Sequence, residues 1–198
     1  IALSAVNVTF DDTKITTPTG YTDGTTTYTN IYTVPKADKT LTSTADTEDD
    51  MSTHTETSAD GKTYYQISTP VQMKWFEYYV DKSTANTGTC AKLMNDIDLS
   101  SICSATAGNW TPIAQNDNWE YLYTGTFDGN GYTISGLTIN QASQNIQALF
   151  GVTTGATIKK LALKQVNVIG SQDVAGLVGK AIGTSISEVY VSGTIEGN

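Results

Sequence analysis

An apolar triplet of fixed internal spacing recurs along the second half of the chain, and it limits the possible folds more than any other feature. Ile134, Leu137 and Ile139 in TISGLTIN are matched by Ile158, Leu161 and Leu163 in TIKKLALK at an offset of 24, and then by Ile186, Val189 and Val191 in SISEVYVS at a further 28. Between them, Ala148-Leu149-Phe150-Gly151 returns 28 residues later as Gly176-Leu177-Val178-Gly179, and Leu93, Ile97 and Leu99 read as an earlier, less regular turn. A short unit with one apolar side cannot bury that side alone, so recurrence at this period implies units stacked like on like. Each period holds two or three alternating stretches broken by Gly, Asn, Asp or Ser, with no room for a helix of ten residues. Helical repeat arrays and ordinary leucine-rich repeats are thereby excluded, and a propeller blade needs about 40 residues. The expected fold is all-β, a right-handed parallel β-helix with turns at positions such as Gly129, Gly136, Gly155 and Gly183.

The stack is preceded by a helix signal. Thr69 can cap, Pro70 stands at the first helical position and Gln72 lies three residues after Thr69, so a helix should span about residues 70 to 80. Met73, Phe76 and Val80 share one face with Trp75 and Tyr79 beside it, which reads as a face buried on the first coil and capping its open edge, in preference to a stacking platform for a ligand. Residues 1–62 differ in kind, being Thr-rich with low-complexity alternation. Val6, Val8, Phe10, Ile15, Tyr28, Ile31 and Tyr32 allow two or three strands there. Thr44 to Gly61 carries Asp46, Glu48, Asp49, Asp50 and His54 with almost no large apolar residue, the composition of a solvated linker or mobile loop, with His54 solvated. The domain reading is 1–62 as an extended segment and 63–198 as the repeat body.

With 11 basic against 20 acidic residues, the net charge of −9 lacks the basic patch that nucleic acid or an anionic membrane surface requires. No apolar run approaches the length of a spanning helix. The chain begins with Ile1 and stops just after a repeat, which suggests a processed or excised piece whose natural protein continues into further coils. Cys90 and Cys103 enclose about 14 residues. They form either a disulfide, stabilising by roughly 3 kcal/mol, or two buried thiols, and neither has the neighbours of a zinc site.

Six pieces of sequence occur in a recognisable order: YQISTPVQMKWF (Tyr64 to Phe76), NDIDLS (Asn95 to Ser100), WTPI (Trp110 to Ile113), YTGTFDGNGYTISGLTI (Tyr123 to Ile139), ALFG (Ala148 to Gly151) and AGLVG (Ala175 to Gly179). In these the chain resembles the GLUG-motif β-helix proteins of bacterial cell surfaces, among them adhesins of gut Bacteroides-type bacteria, over about two thirds of its length. The resemblance implies export, surface display and a structural or adhesive role, with motif residues that build coils instead of performing chemistry. It departs from the pattern in the Phe150 of ALFG, and residues 1–62 match nothing in that family.

Candidate chemistry is sparse. Asp96, Asp98 and Asp128 are equipment for a glycan-cleaving enzyme or a weak calcium site, but each sits among turn residues, where Asp bonds the local backbone. Asp128-Gly129-Asn130-Gly131 also lacks the distal Glu of a calcium-binding helix-loop-helix. Trp110, Trp119, Tyr121 and Tyr123 surround Gln115-Asn116-Asp117-Asn118, and rings beside amides and carboxylates are a means of holding a sugar. The candidate binding residues are therefore Trp119, Asn116, Asp117, Asn118 and Tyr121, with Trp110 read as core. Thr25, Thr27 and Thr29 suggest an ice-binding row, but the repeated coils carry Ile, Leu and Val at the equivalent places. The expectation is a non-catalytic surface module without cofactor or metal, an adhesin fragment whose partner is a host or microbial surface glycan or protein. A carbohydrate-active β-helix enzyme and a pure spacer are the alternatives.

Overall fold

The computed structural model describes residues 51–115 and 121–197 in full, and the backbone of strands at 14–22, 27–33 and 42–43. The chain divides into two compact units, 1–50 and 51–198. In the first, β1 (Lys14–Thr22) pairs antiparallel with β2 (Thr27–Thr33) and with β3 (Thr42–Ser43). Ile15, Tyr28, Ile31 and Tyr32 lie on these strands, whereas Val6, Val8 and Phe10 lie outside the described residues.

The second unit begins earlier than the composition suggests. Met51 is buried, β4 (Thr55–Thr57) pairs antiparallel with β5 (Thr63–Ile67), and Glu56 holds Lys92 at 2.6 Å. The expectation of a linker through Gly61 is corrected for 51–61: one buried Met and a Thr-Glu-Thr edge strand supply anchors that average composition conceals. His54 is exposed, its ring Nδ1 3.2 Å from the Thr53 hydroxyl.

Helix α1 (Pro70–Asp81) starts as its sequence dictates. The Thr69 side chain accepts from the Gln72 N–H at 3.1 Å, and Gln72 Oε1 accepts from the Ser68 N–H at 2.7 Å. Met73, Phe76 and Val80 are buried, while Trp75 and Tyr79 stack at 4.8 Å beside Tyr65.

The remaining strands are β6 (Cys90–Leu93), β7 (Ile97–Asp98), β8 (Thr126–Asp128), β9 (Thr133–Ser135), β10 (Thr138–Asn140), β11 (Phe150–Thr154), β12 (Thr157–Gly170), β13 (Val178–Ile182) and β14 (Ser185–Gly197). The unit is mostly strand with one α-helix, all-β as expected. Its large sheet is mixed, β4 pairing antiparallel while the other pairings among the described residues are parallel, and its strand order does not close on itself. Parallel pairing aligns apolar residues in columns. Ala91, Phe127, Ile158 and Ile186 form one column, Ile97, Ile134, Leu163 and Val191 a second, and Ile139, Val168 and Ile195 a third. Their inner members make up the core.

The columns correct one part of the expected register. Ile186, Val189 and Val191 do stand beside Ile158, Leu161 and Leu163, but Ile158 stands beside Phe127, and Ile134 beside Leu163. The offset of 24 matched two equally spaced apolar sets that belong to different strands of successive layers, since spacing alone does not identify a face. The motif offset of 28 is the register that pairs Phe150 with Val178.

Corners are built from residues in left-handed backbone conformation. Asn130, Lys160 and Glu188 have φ of 54°, 54° and 55°, and the flanking pairs place Lys160 level with Glu188. Gly151 serves close approach instead: a Cβ there would stand 2.7 Å from the Ala114 carbonyl oxygen and 2.9 Å from Gln115 Cα. Phe150, the departure from the surface-protein pattern, belongs to an interior group of rings. It lies 5.1 Å from Tyr123 and 5.3 Å from Phe127, and Phe76 of α1 reaches the same two rings at 6.1 and 5.9 Å.

Candidate functional site

The acids singled out in the sequence are engaged with backbone. Asp98 Oδ1 accepts from the Ser100 N–H at 2.9 Å, Asp96 Oδ1 from the Thr133 N–H at 2.8 Å, and Asp128 Oδ1 from the Asn130 N–H at 2.8 Å. Asp128 Oδ2 also meets Lys159 Nζ at 3.2 Å. The Asp98 and Asp128 bonds satisfy a donor within their own turn, and the Asp96 bond one distant in sequence. Among the described residues no group of three His, Cys, Asp or Glu is placed to hold a metal.

Cys90 and Cys103 are both buried and unbridged. Cys90 Sγ is 3.7 Å from the Gly88 carbonyl and Cys103 Sγ 3.6 Å from that of Gly136, so of the two readings of this pair the structure has the buried thiols. Burial pushes the Cys103 thiol up, against a hydrogen bond from the Thr138 N–H.

Of the aromatic group, Trp110 and Tyr123 are interior. Trp110 donates its Nε1–H to the Leu149 carbonyl at 3.2 Å with Lys74 Nζ 5.3 Å from its ring centroid, and Tyr123 donates to the Thr89 carbonyl at 3.0 Å. Tyr121 is half-buried. Asn116, Asp117, Asn118 and Trp119 lie outside the described residues.

A polar cleft of about 420 Å³ opens beside Trp110. Asn109, Trp110, Thr111, Pro112 and Gln115, from one stretch of chain, supply part of its lining. The rest is Gln141, Gln144 and Gln147, brought together by a turn in which the Gln144 N–H donates to the Gln141 carbonyl at 2.8 Å. Asn109 is bound up with Asn140, accepting from its N–H at 2.7 Å. Gln147 is only 1% exposed and donates from Nε2 to the Asn145 carbonyl at 2.7 Å, which leaves its Oε1 without a partner among the described residues. The side-chain amides of Gln115, Gln141 and Gln144 likewise make no hydrogen bond within the described residues. The sequence reading missed this group of glutamines. Its signal was available in Gln141-Ala142-Ser143-Gln144-Asn145-Ile146-Gln147, an amide at every third position just before the repeat motif.

Below the cleft, α1 ends on Asp81, whose Oδ1 accepts from the Ala114 N–H at 2.7 Å. Burial pushes this carboxyl up to about 7, opposed by the Ala114 bond and reinforced by the nearby Glu77. Glu77 is itself raised by burial against its 2.6 Å pairing with Lys74.

No protein-family model and no solved structure matches the chain. Halomucin of Haloquadratum walsbyi is 35% identical over 123 residues, which is 60% of this chain and 1% of halomucin. A protein of Evansella cellulosilytica described as a Gly-rich membrane protein is 39% identical over 61 residues, 31% of this chain and 7% of that protein. The chain is therefore similar to a small part of each of two much longer proteins.

Proposed function

We propose that residues 51–198 form a right-handed parallel β-helix of the GLUG type and serve as a non-catalytic, surface-displayed binding module, an adhesin-like piece of a longer protein. The observation that carries this reading is the set of in-register apolar columns, which dedicates the strands to scaffolding and leaves turns and clefts to vary. Right-handed connection is the rule for parallel strands joined by crossovers. The names of the two similar proteins, a mucin and a membrane protein, support a surface location. A further coil stacked on β14 also belongs to this reading: Ile186, Val191 and Ile195 are exposed there although their column partners Ile158, Leu163 and Val168 are core.

The test is a glycan and matrix-protein array probed with the whole chain, alongside antibody labelling of intact cells of the source organism. Selective array binding with labelling of unpermeabilised cells is the expected result. A chain that binds nothing on the array is a spacer, not an adhesin. Turnover of any polysaccharide would instead favour the carbohydrate-active enzyme.

A further inference from the structure

The amide-lined cleft has the properties of a ligand site that neither similarity nor repeat motif assigns. We propose that it binds a neutral, hydroxyl-rich ligand, the uncharged face of a glycan, through Gln115, Gln141, Gln144 and Gln147. This rests on the reading of the chain as a binding module and names the ligand class and the place.

Three observations converge on it. First, among the described residues the side-chain amides of Gln115, Gln141 and Gln144 have no partner, and neither has Oε1 of the buried Gln147. A buried acceptor left unpaired is unfavourable unless something supplies a donor, and an amide offers one donor group and one acceptor about as far apart as neighbouring hydroxyls on a sugar ring. Second, among the described residues no charged side chain lines the cleft. The cation next to it, Lys74, is paired with Glu77 at 2.6 Å, lies over the Trp110 ring and donates to the Thr111 hydroxyl of the cleft lining at 3.4 Å. A sulfated, sialylated or phosphorylated ligand would meet a cation already paired with Glu77, and a cationic one would meet carboxylates already held by Lys74 and by the Ala114 N–H. Third, the volume of about 420 Å³ falls in the range of small-ligand sites. Trp110, at 2% exposed, is pinned by its own hydrogen bond and has almost no free surface on which a ligand could stack. Recognition by the cleft is thus hydrogen-bonded first, which predicts weak monovalent affinity and selectivity for hydroxyl stereochemistry.

The experiment titrates the whole chain with neutral oligosaccharides (glucan, mannan, galactan and N-acetylglucosamine types) and with sulfated and sialylated counterparts, by calorimetry and by NMR shifts of side-chain amides. It is repeated with Gln141→Ala/Gln144→Ala, which alters two exposed side chains without touching their backbone turn, and with Trp119→Ala. Unchanged thermal unfolding and circular dichroism show that a variant is folded. The expected result is binding of at least one neutral class, weakened tenfold or more by the Gln141/Gln144 variant, with Gln side-chain amide signals shifting on titration. Neutral-glycan binding unaffected by that variant, or lost only in Trp119→Ala, overturns the cleft assignment while the binding-module reading stands. Binding confined to sulfated or sialylated ligands overturns the ligand class. Failure of every oligosaccharide overturns the cleft proposal, and the array of glycans and matrix proteins then decides the broader reading separately.

Discussion

Ile158 and Ile186 stand side by side in register on two parallel strands, yet Ile158 is fully buried and Ile186 is 46% exposed. They have the same residue type, strand geometry and column, and differ in having a layer on the far side. Truncating Ile158 to Ala should cost about 2 to 5 kcal/mol by loss of transfer energy and creation of a cavity. Ile186→Ala should cost less than about 1 kcal/mol in this chain, because there is little burial to lose. Urea unfolding of the two variants measures the difference. Equal costs would mean that β14 is covered, and that the open layer does not exist in solution.

Gly151 makes a sharper demand. Its place in ALFG is fixed by the approach of the Ala114 carbonyl, and a methyl group there would press on the backbone of Ala114 and Gln115. Gly151→Ala should destabilise by about 1 to 3 kcal/mol, with the Gly151 N–H bond to the Ile113 carbonyl, 2.7 Å, lost or lengthened. Thermal unfolding and amide hydrogen exchange at Gly151 report the two effects. A neutral substitution would show that the WTPI and ALFG layers are not this close.

Asp81 predicts a pH dependence whose direction can be worked out. Its folded-state value is raised to about 7 from an ordinary 3.8, so between those limits the folded chain binds more protons than the unfolded one. Stability from this group is therefore greatest below about 3.8 and falls as pH rises towards 7. Asp81→Asn keeps an acceptor for the Ala114 N–H and removes the titration. The variant should lose part of the decline in Tm between pH 4 and 7 and be more stable than the parent at pH 7.5, by on the order of 1 kcal/mol after solvent screening. Glu77, held by Lys74, retains its own share of the slope. An unaltered pH profile would refute the burial of Asp81.

How much of this was legible in the sequence depends on whether the signal was local. The α1 start was readable because Thr69, Pro70 and Gln72 act within one turn, and the buried face because Met73, Phe76 and Val80 repeat at helical spacing. The register between β14 and β12 followed from identical spacing as far as Leu163 and Val191, and one extra residue on β12 shifts it from Val166 onward. The register of β9 did not, because Phe127 and Ile134 present the same kind of apolar residue on two strands and sequence offers no marker of which lies beside Ile158. Left-handed corners at Lys160 and Glu188 carry no Gly or Asn to announce them. The amide cleft combines Gln115 with Gln141, Gln144 and Gln147 across layers, and a reading tuned to rings and carboxylates passed over neutral amides.

The central claim is that the strands stack in these particular parallel columns, and one crosslinking measurement tests it most directly. Ser135 is level with Lys164 on the neighbouring parallel strand, whereas the 24-residue offset would instead set it beside Lys159. Adjacent strands bring aligned Cα atoms to about 5 Å, within reach of a disulfide. In the native fold, Ser135→Cys/Lys164→Cys should oxidise readily to an intramolecular disulfide with the buried Cys90 and Cys103 left reduced, and Ser135→Cys/Lys159→Cys should not. Closure of the second pair in preference to the first would contradict the columns, and with them the layer that carries the cleft.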